Sequence, residues 1–295
     1  MGDLRKRVGV AVVGIPMVLG LVYLGGWFVA VPLAAFAGWA THELYRFARE
    51  RDVRPIEWIG ISGASALVLL AGWRPDFAGF APYALGIVTA VALVAALEAM
   101  RTRGPEGTPL ASASITLFGT IYAGLSLAFA PMLLSLPSTR GWSAGADDQL
   151  SGLLIVALPL VATWVGDASA YFAGSAWGRD RAKLAPRISP NKSWVGFWAD
   201  LAGGAVAALL WYVVAGPRLP GLEFVGFPLM ALVGAVLGFA AVIGDLLESL
   251  LKREAGVKDS GTFFPGHGGV LDRIDSLIFT IPSAYALLLL LSLLS

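Results

Sequence analysis

Long apolar runs separated by short polar stretches dominate the chain. Nine such runs can be read, at 8–24, 27–45, 58–73, 82–100, 111–135, 150–176, 194–215, 225–251 and 276–294. Most come near the length, about 20 apolar residues, that an α-helix needs to cross a bilayer. Interior Gly and Pro, frequent in several of the runs, are better tolerated in membrane helices than in soluble ones. The first two runs form one apolar stretch from Val8 to Ala40, too long for the apolar core of a secretory leader, and Gly25-Gly26 predicts a hinge between two spans. The pattern predicts an all-α polytopic membrane protein of about nine transmembrane helices.

Composition agrees. Of 295 residues, 57% are hydrophobic and 14% charged, against about 25% charged in soluble domains. The net charge of +1 gives no excess that would call for nucleic acid. Cysteine is absent, which excludes disulfides, thiolate metal sites and cysteine nucleophiles.

Charge sets the orientation. With the N-terminus in the cytoplasm, Arg5, Lys6 and Arg7 lie on that side together with every other Lys and Arg of the 21 except Arg74, Arg140 and Arg218. Lys and Arg in short loops stay cytoplasmic, so this topology, which needs an odd number of spans, is favoured. The two longest and most basic cytoplasmic loops are 177–193 and 252–275. The expectation is one integral membrane domain over 1–295. Within it, 1–150 is mainly scaffold, 160–276 carries the catalytic helices and loops, and 277–295 is the last span.

Among the acids that fall inside apolar runs are Asp167, Asp200, Asp245 and Glu248. A carboxylate at such depth costs several kcal/mol unless paired or hydrated, so it marks function by default. With a helical rise of 1.5 Å per residue, Asp245 lies about 10 Å below Lys252 and Asp167 about 14 Å below Trp177. Asp245, Glu248, Ser249 and Lys252 share one helix face through i, i+3, i+4 and i+7 spacing. Glu43 and Glu98, near Arg46 and Arg101 at span ends, are expected to be paired or solvated, and His42 to be structural or interfacial.

The segment Ser249–Asp275 combines a basic turn, a Gly-rich loop and an acidic helix start. Lys252, Arg253 and Lys258 offer positive charge to phosphates. Gly266, Gly268 and Gly269 allow backbone N–H groups to approach an anion. Asp272 and Asp275 stand at i and i+3 on the next helix, and Asp259 lies in the loop. Carboxylates with Asp245 suit Mg²⁺, a hard cation that keeps substrate phosphates in its shell. Together these parts suit metal-assisted phosphoryl or nucleotidyl transfer.

The run closely resembles the signature of the phosphatidate cytidylyltransferase (CDP-diacylglycerol synthase) family. The matching residues are Ser249, Lys252, Arg253, Lys258, Asp259, Gly261, Pro265, His267, Gly268, Gly269, Asp272, Arg273 and Asp275. Upstream, Asp167-Ala-Ser-Ala-Tyr171, Gly174, Gly178 and Ile188-Ser-Pro-Asn-Lys-Ser193 resemble the family's second stretch. Val195 stands where the family usually has Glu. The resemblance implies a nine-span enzyme, dimeric, that uses Mg²⁺ and CTP to convert phosphatidic acid into CDP-diacylglycerol and pyrophosphate. It would work in the lipid bilayer, at the bacterial inner membrane with the site facing the cytoplasm. The metal-binding acids it implies match Asp245 and Asp272, with Ser249 and Lys252 in the site. Asp259 and Asp167 are further ligand positions, and a second cation fits the number of acids. Arg253, Lys258, His267, Gly268, Gly269, Arg273, Lys192, Asn191, Ser193 and Tyr171 are the expected substrate contacts. The rival readings are an ion-coupled transporter that uses the buried acids, and another nucleotide-using lipid enzyme.

Overall fold

A computed structural model describes residues 16–142, 148–179, 181–264 and 268–293. Arg5, Lys6, Arg7, Pro265, Gly266 and His267 lie outside the described residues, as does the first half of the run at 8–24. The chain divides into two compact units, Met1–Met132 with Leu251–Ile274, and Leu133–Leu250 with Asp275–Ser295.

In the first unit, a helix over 16–24 (α1) ends at the hinge read from Gly25-Gly26. Both glycines have positive φ, 66° and 51°, a region that glycine enters without a Cβ penalty. The helix α2 (Gly26–Arg49) follows, then α3 (Glu57–Trp73) and α4 (Phe77–Thr102). Asp76 caps α4, its carboxylate accepting from the Gly79 N–H at 2.7 Å. Next, α5 (Pro109–Gly119) runs through a wide π-turn at Thr120–Leu125 into α6 (Ser126–Leu134). The core is built around Tyr45, fully buried, whose ring occupies space left by Gly60 and Gly119; a Cβ at either would meet it. Buried hydroxyls bond to backbone. Thr116 Oγ1 accepts from Ile56 N at 2.7 Å, and Thr120 Oγ1 donates to Gly60 O at 3.1 Å. That pairing lets polar side chains sit where no water reaches.

In the second unit, the short α7 (Leu136–Arg140) precedes α8 (Asp148–Trp177), and α9 (Trp194–Ala215) packs along α8. The helix α10 (Gly226–Ala255) belongs to this unit as far as Leu250, α11 (Leu271–Ile274) belongs to the first unit, and α12 (Leu277–Leu291) to the second. Small residues set the packing. A Cβ on Gly203 would meet Ser169, and Gly204 and Gly234 lie against each other's backbone carbonyls. Close approach through small residues is how membrane helices gain van der Waals contact, because lipid offers no hydrophobic drive between them.

One departure from the all-α expectation stands between α8 and α9. β1 (Lys183–Ala185) and β2 (Ser189–Ser193) pair antiparallel. This stretch is too polar for membrane and too short for a stable helix, so it closes its backbone bonds as a hairpin.

Six helical segments among the described residues are long and apolar enough to cross a membrane: Phe77–Thr102, Pro105–Leu134, Asp148–Trp177, Trp194–Arg218, Gly226–Ala255 and Leu271–Leu291. Their outer faces carry exposed Leu85, Leu93, Leu97, Leu210, Val213 and Val214, side chains suited to lipid. The protein is thus a polytopic membrane protein. The six match the runs from 82 onward. Of the remaining three, 58–73 forms the 17-residue α3, short for a full span. The run at 27–45 becomes α2, long enough at 24 residues but carrying His42, Glu43, Arg46 and Arg49 towards its end.

Candidate active site

The second unit holds a cavity of about 510 Å³. Three helices and the hairpin supply its wall. Asp167, Tyr171 and Gly174 come from one face of α8 at i, i+4 and i+7; Gly196 and Asp200 come from α9, and Val242 and Asp245 from α10. Arg179, Lys183, Asn191, Lys192 and Ser193 contribute from the hairpin and its approach. A Cβ on Gly174 would touch Ser193 and Gly196, so the glycines keep that end of the cavity open.

The charges are arranged in pairs. Lys192 Nζ lies 2.6 Å from Asp245 Oδ2, and Ser249 Oγ donates to Asp245 Oδ1 at 3.1 Å. Asp167 is within electrostatic reach of both Asp245 and Lys192. Asp200 is only 2% exposed, and its Oδ1 has no hydrogen-bond partner among the described residues. It is held against Gly166 and Gly238, where any Cβ would meet it. Lys183 turns back to the end of α8, donating to Gly178 O at 3.3 Å and Arg179 O at 2.9 Å. There it meets carbonyls with no partner inside the helix. Ser193 caps α9, its Oγ accepting from Gly196 N at 3.1 Å.

In the first unit, the signature segment builds a second polar group. Asp272 Oδ1 pairs with Lys252 Nζ at 2.8 Å, their side chains 7% and 15% exposed. Asp272 Oδ2 accepts from Ser260 N at 2.8 Å, Ser260 Oγ at 2.9 Å and Gly269 N at 2.8 Å. Gly268 has φ 82°, in the left-handed region, and its carbonyl accepts from Phe264 N at 2.9 Å. The anions that meet the glycine-rich backbone here belong to the protein. The Gly269 amide serves Asp272, and the next two serve Glu43, at 3.1 Å to Val270 N and 2.8 Å to Leu271 N.

The expected site residues therefore fall into three sets. Asp167, Tyr171, Asn191, Lys192, Ser193 and Asp245 line the cavity, with Ser249 bonded to Asp245. Lys252, Gly269 and Asp272 share the second group, with Gly268 next to it. Arg253, Lys258, Asp259 and Arg273 are exposed. The Asp259 carbonyl accepts from Arg46 Nη2 at 3.1 Å. Val195 lies outside the cavity lining.

Sequence reasoning overlooked Arg179, Lys183, Ser260 and Glu43 as members of these groups. Glu98 pairs with Arg101 at 3.3 Å, as expected, and His42 contacts Glu57 at 3.1 Å. Glu43 does not follow expectation. It is 3% exposed and bonded to the loop, while Arg46 turns to Asp259. Its signal in the sequence was only an acid inside a span with Trp39 one turn before it; Trp39 Nε1 donates to Glu43 at 3.1 Å.

Among the described residues, no group of three or more His, Asp or Glu forms a ready-made metal cage. Asp167 and Asp245 do suit Mg²⁺, which is commonly held by one or two carboxylates plus substrate phosphates. Asp272 suits it less well, since three donors occupy Oδ2 and Lys252 occupies Oδ1.

The cavity set among these apolar helices carries acids in its wall and cations on its hairpin. The chain belongs to the cytidylyltransferase family, whose profile matches residues 5–291. It is 32% identical over 303 residues to the phosphatidate cytidylyltransferase of Synechocystis sp., covering 97% of both chains. It is 33% identical over 283 residues to that of Brucella abortus, covering 94% of this chain and 90% of that one. The chloroplastic phosphatidate cytidylyltransferase 5 of Arabidopsis thaliana is 30% identical over 285 residues, 90% of this chain and 67% of that protein.

Proposed function

We propose that this protein transfers CMP from CTP to phosphatidic acid, forming CDP-diacylglycerol and releasing pyrophosphate. Beside the family membership, the observation that carries the reading is the cavity with Asp167, Lys192 and Asp245 on its wall. A lipid phosphate and a nucleotide triphosphate repel each other, so the protein's task is charge neutralisation and alignment. Lys192 and Arg179 supply positive charge at the cavity, and Tyr171, Asn191 and the glycines shape it.

In the reaction, an oxygen of the phosphatidate monoester attacks the α-phosphorus of CTP. The new P–O bond forms as the bond from that phosphorus to the bridging oxygen breaks, and pyrophosphate leaves with the electron pair. The attacking oxygen is already anionic at neutral pH, so no strong general base is required. Mg²⁺, held by Asp245 and Asp167, would draw charge from the phosphate oxygens. The family resemblance gives Asp272 a metal-binding role as well; its Oδ1 carries one donor, Lys252, against three on Oδ2.

The same reading includes nine spans, formed by the six long helices with α2, α3 and the run at 8–24. It places the N-terminus and the site on the cytoplasmic side of a bacterial inner membrane, in a homodimer. Incubating the detergent-purified protein with CTP labelled in the α-phosphate, phosphatidic acid and Mg²⁺ is expected to give labelled lipid and pyrophosphate, and none with EDTA. Label that stays in the aqueous phase in every reaction would overturn the assignment.

A further inference from the structure

We propose that Glu43, on α2, is the positioning residue of the signature loop and sets the orientation of Asp272 through Ser260. The inference rests on the reading that Asp272 takes part in CMP transfer; the contacts themselves do not.

Glu43 is almost wholly buried, and its neighbours at hydrogen-bond distance are donors. Oε1 accepts from Trp39 Nε1 and Val270 N, both at 3.1 Å; Oε2 accepts from Leu271 N at 2.8 Å and lies 2.9 Å from Ser260 Oγ. Ser260 is fully buried and turns the other way as well. Its N–H and Oγ both reach Asp272 Oδ2, and its Oγ accepts from Asp272 N at 3.2 Å. One hydroxyl thus stands within hydrogen-bond distance of two carboxylates, and its single proton serves one of them at a time. Glu43 fixes the residues on either side of Asp272's own anchors: Ser260 before it, and Val270 and Leu271 after Gly269.

Two glycines report how closely Glu43 approaches. A Cβ on Gly261 or Gly269 would run into its carboxylate. Both belong to the family signature, so the contact gives a physical reason for glycine there: room for an internal anion. Aromatic packing holds the same loop to α2, with Phe263 5.1 Å from Trp39 and Phe264 stacked 6.3 Å from Phe36 between ring centroids.

Glutamine at position 43 keeps the shape but brings an NH₂ group. Whichever oxygen it replaces, it faces at least one backbone N–H, so a donor meets a donor. The test compares Glu43→Gln, Ser260→Ala and the double variant in the full-length protein in detergent. Glu43→Gln is expected to lower kcat by about 10²-fold, the size of loss produced by a misplaced reacting group, with the KM for CTP changed less than about threefold. If Glu43 acts through Ser260, the losses in kcat are not multiplicative, and the double variant is no slower than the slower single one. Amide hydrogen exchange gives a reading independent of activity: Glu43→Gln should speed exchange within 258–272 and leave the α8–α9 peptides as in the parent protein. Multiplicative kcat losses, or unchanged exchange in 258–272, would overturn the proposal. Should Glu43→Gln not fold, Ser260→Ala carries both readings alone, with the same criteria of lowered kcat and faster exchange. An inactive parent protein would count against CMP transfer, while the exchange data would still decide the role of Glu43.

Discussion

Asp245→Asn is expected to lower CMP transfer by about 10²- to 10³-fold, the scale seen when one preorganised charge-stabilising group is removed from an active site, without unfolding the protein. The substitution is nearly isosteric, and the side chain faces a cavity instead of packed core, so little of the fold depends on it. Three things are lost together. The negative charge that would hold a divalent ion disappears, Lys192 loses the partner 2.6 Å away, and Ser249 loses a charged acceptor. Raising Mg²⁺ should recover little, because an amide oxygen is a poor substitute for a carboxylate towards a hard cation. The measurement is turnover across a Mg²⁺ titration, alongside the thermal unfolding midpoint. Turnover within tenfold of the parent, at any Mg²⁺ concentration, would remove Asp245 from the proposed metal site.

Asp272→Asn should behave differently, losing stability as well as activity. Its carboxylate and the Lys252 ammonium are both largely buried, and removing one member of a buried pair costs about 3–5 kcal/mol because the other charge is left uncompensated. Asparagine also turns an NH₂ group towards either Lys252 or the three donors on Oδ2. A clear fall in the unfolding midpoint is therefore expected in detergent. The double variant Lys252→Met/Asp272→Asn should recover part of it, since taking away both charges is less costly than stranding one. A single Asp272→Asn variant that unfolds at the parent temperature would show that the pair is not a structural tie.

The comparison of these two acids shows what the sequence could convey. Both stood out by type and spacing, and the resemblance gave them a single role. Only the structure separates them, one facing a cavity and one closed in by donors. The six membrane-length apolar segments were legible because a run of apolar residues has one use in lipid, and the hinge was legible because paired glycines mark it. Glu43 was not legible as part of the loop. Its partners lie more than 200 positions away, at 260, 270 and 271, and local spacing pointed to Arg46 instead. The hairpin at 183–193 was also hidden, since its strands are short and polar and carry Pro190. Asp200 was noticed as an acid within a span, but nothing in the order of residues announced that α9 would turn it towards Asp167 and Asp245.

The hairpin is secured at both ends: Lys183 holds the Gly178 and Arg179 carbonyls just beyond α8, and Ser193 caps α9. Between them the turn at 186–188, with Pro186 and Arg187 exposed, carries a bond from Ile188 N to Ala185 O at 3.0 Å. Chain length there is nearly decoupled from the cavity, because enlarging a loop costs only about 0.6 kcal/mol per doubling. The tip of that turn is thus the natural place to graft an epitope or a spectroscopic label, whereas deletions in either strand would drag Lys192 out of line.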